Sequence, residues 1–189
     1  MAHHSSQASM LRQSLTDMIN GARICINYKK DDGGCLGYPA CLILLSIADA
    51  IASYLEGDQN FKIKIDGSIK IIDSDGYKRF YIFNSSYYNL RLSESFIKLI
   101  YKNYRCLLSH NATLVYGHFI NMNNPFKIPF DDSGYKNEET GEKYPVISLK
   151  PLLQCSIFAV TKFINNIDDI LIGSKQAKII ENKRSRAIQ

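Results

Sequence analysis

An arginine and a histidine lie five positions apart near the end of an apolar segment. They are Arg105 and His110, in the run RCLLSH. An imidazole titrates near neutral pH, so it can take up or release a proton under ordinary conditions. A guanidinium keeps its charge and binds phosphate oxygens through parallel N–H groups. The pair therefore indicates proton transfer beside a bound anion.

The segment that carries this pair is a predicted helix that begins at Ser93 and ends near Asn111. Serine is a favourable N-cap, and Glu94 in the first turn complements the helix dipole. In an ideal helix Arg105 and His110 are about 140° apart, so they share a face only if the helix ends or bends near its last turn. The wide apolar face predicted for this helix contains Phe96, Ile97, Ile100, Tyr101, Tyr104, Leu107 and Leu108.

Helical spacing also predicts a polar stripe opposite the apolar face, with Glu94, Lys98, Lys102 and Arg105. We expect this side of the helix to face a second copy of the chain. The residues expected to support the pair lie between its members and are Lys102, Cys106 and Ser109. Two simpler interpretations remain open. In the first, Arg105 is a surface residue paired with an acid on an ordinary solvated face. In the second, His110 is a cation at a helix C-terminus.

One carboxylate, Asp49, interrupts the longest apolar run, Ala40–Ala48. The run is too short to span a bilayer and predicts a buried helix from Pro39 through Leu55, with no membrane association. A buried carboxylate needs a partner. Arg105 or His110 would serve, so Asp49 joins the candidate site. The alternative is a narrow polar stripe that reaches solvent, because charged side chains are rarely fully buried.

The rest of the chain predicts further helices and a few strands. An apolar stripe predicts a first helix from Leu11 to Tyr28, and a last long helix is expected from Ser148 to about Leu171. The run FKIKIDGSIKII predicts a hairpin that turns at Asp66-Gly67. Short strands are expected at Val115–Ile120 and Phe126–Phe130, followed by a mobile polar loop from Asp131 to Lys143.

The aromatic segment Tyr77–Tyr88 fits a strand or a helix equally well. Its tyrosines suit either base stacking or core packing, and core packing is the simpler interpretation. His118, on an expected strand, is interpreted as structural. The histidines and cysteines have no recognised metal spacing, so we expect no metal site.

The Arg-x4-His motif, placed in the third long helix behind the apolar run LLSIADAIASYL, resembles the signature of the HEPN superfamily. At the level of pattern the likeness extends from Leu11 to Leu171. It implies a HEPN-like bundle of four or five helices. With the hairpin and the short strands, the predicted fold is therefore mainly α.

The resemblance also implies a function, that of a metal-independent endoribonuclease that works as a homodimer without a cofactor. Two copies of the motif would line a cleft for RNA. By this carry-over His110 is the general acid/base and Arg105 stabilises the transition state. A role in defence or in a toxin–antitoxin pair, with an antitoxin protein as partner, is a further implication.

One position departs from the HEPN pattern. Active members usually have a polar residue, often Asn, after the arginine, and this chain has Cys106. A non-catalytic HEPN-like dimerisation or interaction module is therefore the first alternative. A protein whose basic strip merely holds an anion is the second.

Composition supports a globular chain, with 46% apolar and 22% charged residues and a net charge of +5. We expect one domain over residues 10–173, after a disordered tag remnant at 1–9 and before a frayed basic tail at 174–189. We expect no secretory signal. An odd number of cysteines without a CxxC pair favours reduced thiols and a cytoplasmic location. These cysteines are Cys25, Cys35, Cys41, Cys106 and Cys155.

Overall fold

A computed structural model of the chain describes residues 6–31, 33–123 and 127–187. These residues form a mainly α fold with two small sheets, as expected. The α-helices are α1 (Gln7–Asn27), α2 (Gly37–Tyr54), α3 (Glu94–Leu99), α4 (Leu107–Asn111), α5 (Leu149–Asn165), α6 (Ile167–Gly173) and α7 (Lys175–Ala187). The strands are β1 (Ile63–Ile65), β2 (Ser68–Lys70), β3 (Phe119–Asn121), β4 (Phe130–Lys136) and β5 (Lys143–Ser148).

Helix α2 is the centre of the bundle. It packs against α1, α5 and a 3₁₀ helix at Gly76–Asn84. By length and composition α2 is also the one helix of the described residues that could cross a membrane, yet 56% of it is buried inside the protein. Burial on several sides is what the apolar sequence of a core helix predicts. Its fully buried side chains include Cys41, Leu44, Leu45, Ile47, Ala48 and Ile51.

Helix α1 begins earlier than the sequence predicts. The hydroxyl of Ser6 accepts a hydrogen bond from the backbone N–H of Ser9, which caps the first turn. Ala8 packs against the core. The prediction of disorder for residues 1–9 is therefore wrong for Ser6–Ser9, and residues 1–5 lie outside the described residues.

The predicted hairpin is confirmed. Strands β1 and β2 pair antiparallel, with Ile65 opposite Ser68. Asp66 and Gly67 both have positive φ, of 47° and 78°, as a tight two-residue turn between twisted strands requires.

The ambiguous segment Tyr77–Tyr88 forms the 3₁₀ helix Gly76–Asn84 and a turn after it. Its aromatic side chains pack in the core, so the core-packing interpretation is confirmed. Gly76, at φ +34°, lies so close to Tyr101 that a Cβ would approach the phenol oxygen to 2.9 Å. The residues of this stretch that are buried include Phe80, Tyr81, Phe83, Tyr87 and Tyr88.

The third long helix is continuous but not uniform. Between α3 and α4 it contains a π-helical segment, Ile100–Cys106, in which the hydrogen-bonded turn is one residue wider. This widening changes the phase of the helix between Lys98 and Arg105, so the single polar stripe expected from α-helical spacing does not persist. The helix ends at Ala112, whose φ of 51° is left-handed.

The second sheet has the strand order β3-β5-β4, with β3 parallel and β4 antiparallel to β5. The expected strand at Val115–Ile120 starts later, at Phe119. The expected mobile loop from Asp131 to Lys143 is wrong in its first half, which is strand β4. The expected strand Phe126–Phe130 is wrong for residues 127–129; Phe130 begins β4, and Phe126 lies outside the described residues.

The last predicted helix is interrupted. Helix α5 ends at Asn165, where the side-chain amide of Asn166 donates to the carbonyl of Lys162 at 2.8 Å. Helix α6 then begins at Ile167. The expected frayed tail instead forms helix α7, with Ala177 buried and the Ser174 hydroxyl accepting from its backbone N–H at 3.3 Å.

Candidate functional site

Asp49 is the centre of a charged cluster on the surface of α2. Its Oδ1 lies 3.5 Å from Nη1 of Arg79, and its Oδ2 lies 3.6 Å from Nη2 of Arg105. The Asp49 side chain is 26% exposed. Of the two partners expected for Asp49, Arg105 contacts it, in a cluster that is half-buried and still reaches solvent.

Arg79 extends the cluster to a second carboxylate. Its Nη2 donates to Oε2 of Glu56 at 3.2 Å, while its Nη1 contacts Asp49. Arg79 stands on the 3₁₀ helix, and Glu56 follows the last turn of α2. The sequence analysis missed both residues, because Arg79 lies within an aromatic segment and Glu56 lies in a polar turn.

These contacts leave one N–H donor of each guanidinium without a hydrogen-bond partner among the described residues. The Nε atoms of Arg79 and Arg105 are buried, and neither has a hydrogen-bond partner among the described residues. A buried donor without a partner costs stability unless another group satisfies it. The cluster therefore has donor capacity that its own carboxylates leave open.

Tyr101 adds a phenol to this cluster. Its pKa is raised first by a hydrogen bond with Cys106, then by burial and by the negative charge of Asp49, with Arg105 opposing. The phenol therefore stays protonated at neutral pH. Its ring packs at 5.6 Å against Phe80. The sequence placed Tyr101 only on an apolar face, so no signal pointed to this contact.

His110 lies outside the cluster. It is exposed in the last turn of α4, and within the described part of the chain no hydrogen bond or ion pair joins it to Arg105 or Asp49. Its position at a helix C-terminus agrees with the simpler interpretation of a cation near the dipole. One copy of the chain therefore brings Asp49 and Arg105 together but leaves His110 apart.

The other expected supporting residues take different positions. Lys102 is exposed. Ser109 is also exposed, and its hydroxyl donates to the carbonyl of Cys106 at 3.0 Å, a contact within the helix. Cys106 is half-buried and contacts Tyr101. None of the three contacts Asp49 among the described side chains.

His118 is held by hydrogen bonds at both ring nitrogens and by a ring contact. Its Nε2 lies 2.9 Å from the amide nitrogen of Asn103, and its Nδ1 lies 3.3 Å from the carbonyl of Tyr116. We assign the proton to Nδ1 from this network, so that Nε2 accepts from the Asn103 amide. The ring also packs at 5.5 Å against Tyr104. These contacts fix the start of β3 on the π-helical segment, in agreement with a structural role.

Across the described ranges, no group of three or more His, Cys, Asp or Glu side chains is placed to hold a metal ion. Comparison with protein-family profiles, curated proteins and solved structures found no match to this chain.

Proposed function

We propose that this chain is a HEPN-like, metal-independent endoribonuclease that acts as a homodimer. The observation that supports it best is the contact between Asp49 and Arg105. This contact holds the guanidinium of Arg105, whose side chain is 23% exposed, on the same continuous helix that carries His110. A fixed, partly exposed guanidinium is suited to a phosphate, because little ordering is lost when the phosphate binds.

The proposed reaction uses the neighbouring hydroxyl of the RNA itself. His110 takes the proton of a 2′-hydroxyl, and the 2′-oxygen attacks the adjacent phosphorus. Arg105 neutralises the charge that builds up on the phosphate oxygens. The bond to the 5′-oxygen breaks, and that oxygen takes a proton from water. The products are a 2′,3′-cyclic phosphate and a 5′-hydroxyl, and the imidazole returns its proton to solvent.

A second copy of the chain explains why Arg105 and His110 are separate within one copy. Arg105 turns towards α2, whereas His110 points into solvent one turn later. Two chains related by a two-fold axis present both residues twice, so His110 of one copy can meet Arg105 of the other. In this proposal each cleft is built from both chains.

The reaction is tested by incubating single-stranded RNA with the protein in EDTA. The Arg105→Ala and His110→Ala variants are expected to lose about 10²- to 10⁴-fold in cleavage rate. Arg12→Ala is a matched control, because Arg12 is another ion-paired arginine, which joins α1 to Asp168 of α6 and is not part of the Asp49 cluster. Cleavage that needs a metal, or that survives both variants, contradicts the proposal.

The homodimer is tested separately through Cys106. If the two helices face each other across the axis, mild oxidation is expected to give a disulfide-linked dimer. That dimer should disappear in Cys106→Ser and persist in Cys25→Ser, since Cys25 lies on α1. A chain that stays monomeric by light scattering at all concentrations contradicts the proposed clefts.

A second function has specific support, that of a non-catalytic HEPN-like interaction module. Cys106 occupies the position where a polar residue is expected, and in one copy His110 has no orienting partner among the described residues. A dimer that binds RNA or a protein antitoxin but does not cleave RNA would favour this function. In both cases we propose a cytoplasmic protein, in line with five cysteines that are all unpaired.

A further inference from the structure

Four aromatic side chains form a cluster on one face of the three-stranded sheet. Phe119 lies 4.3 Å from Tyr135 and 5.9 Å from Tyr144, measured between ring centroids. Tyr116, in the turn before β3, lies 6.4 Å from Tyr144 with its ring nearly perpendicular. We call Tyr116, Phe119, Tyr135 and Tyr144 the aromatic face.

The register of the strands shows that this face points away from the bundle. Tyr135 pairs with Tyr144, and Phe119 pairs with Val146, so these side chains are on the same side of the sheet. Ile147 is on the other side and is only 1% exposed, because that side packs on the core.

Much of the aromatic face is open to solvent. Tyr116 is 89% exposed, Tyr135 44% and Phe119 36%. Contiguous exposed aromatic side chains of this kind mark a surface that another molecule covers. The proposed cleavage uses none of these residues, so the aromatic face is distinct from the Asp49 cluster.

The charges around the aromatic face are negative. The phenol of Tyr144 donates a short hydrogen bond to the carboxylate of Glu142. Asp131 pairs with Val146, so it lies on the same side of the sheet as the rings. Lys136 and Lys143 pair with each other on the opposite side. From Asp131 to Lys143 the chain has five acidic and two basic residues, although the whole chain has a net charge of +5.

We propose that the aromatic face docks a basic segment of a partner protein. Arginine or lysine side chains of that segment would lie over the tyrosine rings, whose π faces attract cations, and would pair with the carboxylate of Glu142. Single-stranded nucleic acid also stacks on aromatic side chains, but it needs basic groups along its backbone. Here the charged groups placed beside the rings, Asp131 and Glu142, are carboxylates, which repel phosphate. The charge therefore favours a cationic protein segment.

The test uses a fluorescent peptide of alternating glycine and arginine and the intact protein. We expect the peptide to bind, with an affinity that falls as salt is added, and an otherwise identical glutamate peptide not to bind. Tyr116→Ala is the first variant, because a side chain that is 89% exposed can be removed without disturbing the core. It is expected to weaken peptide binding about tenfold, as is Glu142→Gln.

Tyr28→Ala is the matched control, because Tyr28 is an exposed tyrosine at the end of α1 and is expected to be replaceable without effect. Absence of peptide binding, or equal binding by Tyr116→Ala and wild type, overturns the proposal. Binding of a fluorescent oligouridine that Tyr116→Ala weakens also overturns it, in favour of base stacking. RNA cleavage by Tyr116→Ala is expected to match wild type, so this result is independent of the proposed nuclease.

Discussion

Two carboxylates, Glu94 and Asp49, each contact several polar or charged side chains, and the two sets of contacts differ in number and length. Glu94 accepts hydrogen bonds from the phenols of Tyr77 and Tyr81 at 3.0 and 2.9 Å. It also pairs with Lys70 and Lys98, both at 3.3 Å. The phenol hydrogen bonds are the largest cause that holds the pKa of Glu94 down to about 2. This network ties α3 to the 3₁₀ helix and to the hairpin.

Asp49 has fewer and longer contacts. Its two oxygens are 3.5 and 3.6 Å from Arg79 and Arg105, and the Nε atom of each guanidinium has no partner among the described residues. A carboxylate whose partners all have their hydrogen bonds satisfied contributes to the stability of the fold. A cluster in which the Arg105 side chain is still 23% exposed can contact a further anion. We therefore interpret the Glu94 network as structural and the Asp49 cluster as the candidate site.

The largest expected difference between the two carboxylates is in RNA cleavage. Asp49→Asn removes the charge that holds Arg105, so we expect the cleavage rate to fall about 10²-fold, mainly in kcat. Glu94→Gln is expected to leave the rate within about twofold of wild type. Initial rates on single-stranded RNA in EDTA measure both. Equal losses in the two variants would contradict the assignment of a functional role to Asp49 and a structural role to Glu94.

A smaller difference is expected in stability, between two tyrosines. Tyr81→Phe removes a phenol that is almost fully buried and bonded to Glu94, so we expect it to lower the free energy of unfolding by about 1–2 kcal/mol. Tyr101→Phe removes a phenol whose hydrogen-bond partner is the thiol of Cys106, a weak acceptor, and we expect a loss below about 1 kcal/mol. Urea unfolding at neutral pH measures both losses. A larger loss for Tyr101→Phe would reverse the assignment.

A further expected effect of the Glu94 network is a dependence of stability on pH. The pKa of Glu94 is about 2 in the folded protein, below its ordinary value of 4.5. A lowered carboxyl pKa adds stability above pH 4.5, and this stability is lost as the pH falls from about 4.5 to 2. Glu94→Gln should flatten this part of the pH profile, measured by thermal unfolding. An unchanged slope would show that other carboxylates dominate it.

Local signals in the sequence predicted much of the fold. The apolar period predicted α2, and Asp66-Gly67 predicted the hairpin because only a few residues adopt its left-handed turn. Strand β4 was missed because it lies at the edge of its sheet and most of its side chains are exposed, which hides the alternation. The helix at the C-terminus was missed because its pattern is polar.

The candidate site was only partly predictable. Asp49 needed a partner, and the sequence offered Arg105 or His110; Arg105 contacts it and His110 does not. Arg79 was not predictable, because it reaches Asp49 from a 3₁₀ helix that the local pattern left undecided between strand and helix. The π-helical segment was also hidden, since its sequence continues the apolar spacing of an ordinary helix.

The most direct test of a cleft shared between two chains mixes two variants that are each expected to be inactive. When Arg105→Ala and His110→Ala chains are combined and their dimers exchange, about half of the dimers contain one chain of each kind. If each cleft takes its arginine from one copy and its histidine from the other, every mixed dimer has one intact cleft. The mixture should then recover about a quarter of the wild-type cleavage rate in EDTA. No recovery, with exchange confirmed, would contradict a shared site.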